Sequence, residues 1–162
     1  MKKQYIASGL VFLFLLSLGI YHSMKGGINL TDEGLYFSAP FHYRFGVVPF
    51  RDAIHNATRQ YDLLMAPVFA FFPNITVVQY RILGVLLHLS SIVAAFFLFS
   101  RLAPPVLVAF VGAIFFLMNN FAGIPTPSYN VLVTALGTWS FVLWMFSLFA
   151  KTRKLQMVFG IV

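Results

Sequence analysis

The chain has no cysteine and only four acidic residues among 162. Without cysteine there is no disulfide framework, no thiolate metal site and no cysteine nucleophile. Charge of either sign is scarce. Charged residues make up 9% of the chain, against 60% hydrophobic and 18% aromatic, whereas soluble domains carry about a quarter charged residues. An ordinary soluble domain is therefore excluded, and the long uncharged runs indicate what stands in its place. Lys3 and Lys25 enclose 21 uncharged residues, Arg81 and Arg101 enclose 19, and Arg101 and Lys151 enclose 49. A helix needs roughly 20 apolar residues to cross the hydrocarbon core.

The net charge of +7 does not point to nucleic acid. Lys2, Lys3, Arg101, Lys151, Arg153 and Lys154 flank the apolar runs, as cations do when they fix the orientation of membrane spans. No basic helix face or stacking platform is present for a nucleic acid, so the expected surroundings are membrane lipids. The apolar stretch Ile6–Ile20 behind Lys2-Lys3 has the outline of a signal peptide. No small-x-small cleavage site follows it, so an uncleaved first span is expected.

The pattern predicts an all-α polytopic membrane protein with four complete transmembrane helices, at about 5–21, 77–99, 106–118 and 131–149. The N-terminus is expected in the cytoplasm of a prokaryotic cell, in the plasma membrane, with an outer loop over residues 22–76. Gly26-Gly27 breaks the first helix. Thr31 as N-cap with two acids behind it starts a short helix over about 32–39. Leu63–Phe72 is apolar but only ten residues long, which suits an interfacial or re-entrant helix. Arg101 to Pro105 forms a tight turn, and residues 119–130 form an uncharged outer loop. Leu155–Val162 begins another apolar run, so residues 1–162 read as the N-terminal fragment of a larger protein, ending at the start of a fifth span.

The entire acidic inventory, Asp32, Glu33, Asp52 and Asp62, falls in the one long polar stretch. Asp32 and Glu33 lie close behind a span, where burial raises the cost of charge and suits a carboxylate to general-base work. The plainer reading is a pair of acids stabilised by a helix N-terminus. Arg44, Arg51 and Arg59 share the loop and serve either a lipid phosphate or charge balance for Asp52 and Asp62. Arg81 stands near one end of the second span. An arginine costs roughly 2.5–3.5 kcal/mol at mid-membrane and less near the interface. It is expected to snorkel, to pair with a loop carboxylate or to touch substrate. His22, His42, His55 and His88 lack paired metal spacing. No cofactor is assigned, and a divalent metal on His42 and His55 with the loop acids stays open. His88 reads as a packed polar residue. Three glycosylation sequons begin at Asn29, Asn56 and Asn74, a short pattern that recurs by chance.

The order of these pieces carries a resemblance. A first span followed by Asp32-Glu33-Gly34-Leu35-Tyr36, an Asp-Glu-x-x-Tyr pattern, resembles the opening of the GT-C-type membrane glycosyltransferases. The branch it resembles contains the protein O-mannosyltransferases and the lipid A aminoarabinose transferase. Gly46-Val47-Val48-Pro49-Phe50-Arg51-Asp52 is similar to a second motif of that family, and Arg81 early in the second span to a third feature. The resemblance covers about residues 1–150. It implies a polyprenyl-phosphate sugar donor and an unknown acceptor hydroxyl, with inverting transfer at the outer face. Asp32 and Glu33 would be catalytic, Asp32 by orienting or deprotonating the acceptor. Asp52, Tyr36, Arg81, Tyr129 and Asn130 would bind substrate. The second outer loop reads Pro127-Ser128-Tyr129-Asn130, where many relatives carry an acid. This departure weakens any scheme with two carboxylates or an assisting metal, and the piece alone is expected to be inactive. The competing readings are a small multi-span transporter and a non-catalytic subunit that binds lipid or an assembly partner.

Overall fold

The uncharged run before Arg101 forms the helix on which the others are built. A computed structural model describes residues 2–25, 32–48, 61–121 and 126–148. Among the described residues the helices are α1 (Lys2–Lys25), α2 (Asp32–His42), α3 (Tyr61–Phe71), α4 (Val77–Phe99), α5 (Pro105–Phe121) and α6 (Tyr129–Leu148). A 3₁₀ turn, Tyr43–Phe45, follows α2 and closes at Gly46, whose φ of 81° is in the left-handed region that glycine tolerates. α4 packs against α1, α5 and α6, and α1 also packs on α5. A capping box starts α4. The Thr76 hydroxyl accepts from the Gln79 N–H at 3.3 Å, and the Gln79 side-chain oxygen accepts from the Thr76 N–H at 2.8 Å.

Among the described residues three helices, α1, α4 and α6, are long and apolar enough to cross a membrane. This corrects the four expected spans. α5 has 17 residues, about 25 Å of helix at 1.5 Å per residue, short of a hydrocarbon core of about 30 Å. Its composition suits a membrane but its length does not. The expected start of a fifth span lies outside the described residues.

The distribution of side chains is the reverse of a soluble protein's. Ile6, Leu10 and Phe14 of α1, Phe110 and Met118 of α5, and Val133 and Leu136 of α6 face outward, while Ser8, Ser23, Glu33, Arg81, His88 and Ser91 are buried. Buried hydroxyls find acceptors in their own helices: Ser23 Oγ donates to the Gly19 carbonyl at 2.8 Å, and Ser91 Oγ to that of His88 at 2.7 Å. Such local satisfaction is what hydrocarbon surroundings demand, since no water is there to substitute. Span-length helices with an apolar exterior identify an integral membrane protein.

Between α1, α4 and α5 the core is Leu15, Val85, Leu89, Ile92 and Phe116; between α4 and α6 it is Ala94, Leu98 and Val142. Trp139 of α6 donates its indole N–H to Ser90 Oγ of α4 at 3.2 Å. At the Arg81 end, α2 and α3 form an aromatic cap. Phe37 meets Phe69 and Tyr80 edge-on at 5.3 and 5.6 Å between ring centroids, and Met65 and Leu132 complete the cluster. α2 runs past its expected end because Pro40 does not break it, being buried in the face that carries this cluster. α3 is an 11-residue helix, too short to span and exposing Leu64 and Phe71.

Gly19 lets α1 approach its neighbours. A Cβ there would lie 2.8 Å from Val85 Cγ1 and 2.9 Å from Phe116 Cζ, whereas one at Gly9 would meet nothing within 4 Å. Both neighbours are fully buried, and valine is stiff at χ1. Gly19→Ala should therefore destabilise the protein by about 1–3 kcal/mol through overpacking, while Gly9→Ala should be neutral or stabilising from helix propensity. Thermal unfolding of the two variants in the same detergent reads this difference in sign.

Candidate functional site

The inward face of α2 consists of Glu33, Tyr36, Phe37, Pro40 and Phe41, at the i, i+3, i+4, i+7, i+8 spacing of an amphipathic helix. Glu33 heads that apolar stripe, so the folding of α2 onto the bundle carries a carboxylate inside. Arg81, one turn into α4, meets it there. Arg81 Nε donates to Glu33 Oε1 and Nη2 to Oε2, each at 2.5 Å, giving a two-pronged ion pair with both side chains buried. Arg81 Nη1 also donates to the Ser23 carbonyl at 3.0 Å. That carbonyl is in the last turn of α1, where helix acceptors lack partners within the helix. One guanidinium thus ties together α1, α2 and α4.

Of the alternatives set out for Arg81, the structure shows pairing with a loop carboxylate. Both Glu33 oxygens face Arg81, which makes Glu33 an orienting group for α2. Asp32 is the first residue of α2, where the helix dipole favours negative charge; its side chain lies outside the described residues. Asp52 lies outside them altogether, with Thr31, Arg51, His55 and Arg59.

Tyr36 and Tyr129 are brought together, their ring centroids 6.2 Å apart, which joins the first turn of α6 to α2. Tyr129 and Asn130 are exposed there. Ser128 caps α6 by accepting the Val131 N–H at 3.3 Å. Beside it Thr126 is fully buried, and its hydroxyl has no hydrogen-bond partner among the described residues. Glu33, Arg81, Tyr36, Tyr129 and Asn130 therefore belong to the same end of the bundle, where α1 ends and α4 and α6 begin.

Other candidates are placed elsewhere. Arg44 lies over the rings of Phe41 and Phe45, 5.9 and 5.8 Å from their centroids, and donates to the Pro73 carbonyl. His88 is buried against Phe115 and Phe116, with ring centroids at 5.6 and 5.8 Å. His42 is exposed. Among the described residues no three His, Asp or Glu side chains converge as a metal-binding group would. The Ser23 carbonyl and Thr126 were not anticipated from sequence. A backbone acceptor leaves no residue-type signal, and Thr126 is one hydroxyl in a loop of small polar residues.

Removing one partner of a buried ion pair strands the other charge, at a cost of about 3–5 kcal/mol, whereas replacing both by apolar residues is often neutral. Glu33→Leu and Arg81→Met should each destabilise the protein by about that amount, and the double variant by much less than their sum. A double-mutant cycle on thermal unfolding in detergent measures the coupling. Comparison of the chain with protein-family models, curated proteins and solved structures finds no match.

Proposed function

We propose that this chain is the membrane module of a GT-C-type glycosyltransferase whose reaction centre is the N-terminus of α2. The observation that supports this reading is the buried Glu33–Arg81 pair. It ties the first turn of α2 to the end of the bundle and so fixes the backbone that carries Asp32. Glycosyl transfer needs a base close to the acceptor and cationic or dipolar groups for the departing phosphate. In this reading Asp32 takes the proton of an acceptor hydroxyl as its oxygen attacks the anomeric carbon. The bond from that carbon to the phosphate oxygen breaks, and polyprenyl phosphate leaves with inversion. Glu33 and Arg81 position Asp32. Tyr36, Tyr129 and Asn130 offer stacking surface and hydrogen bonds for a sugar, and Asp52 lines the acceptor side. The α2 end faces outward, with the N-terminus in the cytoplasm.

One observation favours a second reading, a non-catalytic membrane subunit that binds lipid or a partner. Both oxygens of Glu33 are engaged by Arg81, so the motif's second acid serves the packing of α2. A transporter is less well supported, because the charged pair sits where α4 begins and not at its middle.

Transfer of labelled sugar from polyprenyl-phosphate donors to endogenous acceptors, in membranes holding the full-length protein, separates the two readings. Asp32→Asn should lower the rate by about 10²–10⁴, the usual contribution of a general base, with thermal stability unchanged. Equal rates in the two proteins would take Asp32 out of the mechanism and favour the subunit reading.

A further inference from the structure

A groove of ≈ 510 Å³ opens between the end of α3, the turn into α4 and the first two turns of α4. Its size lies within the roughly 300–1,000 Å³ of small-ligand sites. Val68, Phe71, Phe72, Ile75 and Leu83 give it an apolar wall, with Asn74 and Gln79 as its polar groups. Phe71, at 79% exposure, stands open to the surroundings. The Gln79 side-chain oxygen is already taken by the Thr76 N–H and hydroxyl, so the amide presents its NH2 group as the remaining donor.

A cation stands at the rim. Arg44 is exposed, and its guanidinium donates to the carbonyl of Pro73, which itself lines the groove. That bond uses one of five N–H groups, and the planar fork matches phosphate oxygens. Phe41 and Phe45 lie beneath it and hold it in place. Apolar wall, amide donors and guanidinium border the same groove, with Gln79 one helical turn from Leu83 on α4. That combination of chemistry matches one amphiphile.

We propose that this groove binds an anionic phospholipid of the surrounding bilayer, one acyl chain against Phe72, Ile75 and Leu83 and the phosphate on Arg44 and the Gln79 amide. The site lies at the α3–α4 corner, apart from the Glu33–Arg81 pair, and does not depend on the glycosyltransferase reading. Bound lipid would anchor the short helix α3, which has no span of its own.

Native mass spectrometry of the full-length protein, titrated with phosphatidylglycerol or phosphatidylcholine, tests this. The intact protein should hold phosphatidylglycerol more tightly than phosphatidylcholine. Arg44→Gln should lower phosphatidylglycerol affinity about fivefold, the electrostatic effect of one basic side chain at a membrane surface, and remove the preference. Leu83→Trp, which fills the groove, should weaken both lipids, while Arg101→Gln at the opposite end of α4 should change neither. Circular dichroism of each variant confirms that it is folded, and a variant that fails to fold is replaced by Arg44→Lys, which should retain the preference. Equal binding of the two lipids by the intact protein, or undiminished phosphatidylglycerol affinity in folded Arg44→Gln, would overturn the proposal. Displacement of phosphatidylglycerol by equimolar polyprenyl monophosphate would also overturn it, assigning the groove to a donor lipid.

Discussion

The buried pairing of Glu33 with Arg81 is the constraint on which the polar end of this protein depends. Either charge alone would be expensive to bury at a membrane helix end. Together, with both carboxylate oxygens facing the guanidinium and a third bond to the Ser23 carbonyl, each satisfies the other. The pair also determines how α2 meets the bundle. A helix held only by aromatic contacts at Phe37 and Phe41 could slide or rotate on α4, since such contacts are only weakly directional. A two-pronged ion pair fixes both register and rotation, because a shift of one residue would withdraw the carboxylate from the guanidinium. Whether it adds net stability is a separate matter, as buried ion pairs roughly break even against apolar replacements.

The rest of the molecule arranges polarity around that point. Away from the Arg81 end, buried polar groups are mainly serines bonded within their own helices, together with His88 in an aromatic slot. The apolar surface points outward. Close helix approach is set by small residues: a Cβ on Gly112 would lie 2.8 Å from Ile92 Cγ2, as tight as the contact at Gly19. Without a hydrophobic drive between helices in lipid, such close packing has to carry the association. One end of the bundle is therefore built for shape and the other for charge and aromatic contact.

Much of this was legible in the sequence, and the exceptions have physical causes. The observed ends of α4 match the expected span 77–99, which has Arg81 near one end and Arg101 just past the other. Apolarity marks α5 as a span, but apolarity does not supply length. The expected short helix stops at 39, just before Pro40, a residue that usually breaks helices, whereas α2 runs on to His42. The stripe of residues 33, 36, 37, 40 and 41 was nonetheless present in the sequence and carries the helix through. No local pattern in the sequence identifies the partner of Arg81, because the two residues are 48 positions apart. Register does link them: Glu33, and not Asp32, is in phase with Tyr36, Phe37 and Phe41, and so is the acid that α2 must carry inside.

That phase relation bears on the two neighbouring acids. At about 100° per residue, residues 33, 36, 37, 40 and 41 fall within one arc of α2 and position 32 falls outside it. Glu33 is in the stripe and has Arg81 as its partner. Asp32 occupies the first position of the helix, where the unpaired N–H groups favour a negative charge without requiring it to be buried. Glu33 is tied by a cation from another helix, and the same tie holds the backbone at Asp32. The same logic explains why the clamp comes from α4: the central helix packs against α1, α5 and α6, and so is the most firmly held element to which α2 can be tied.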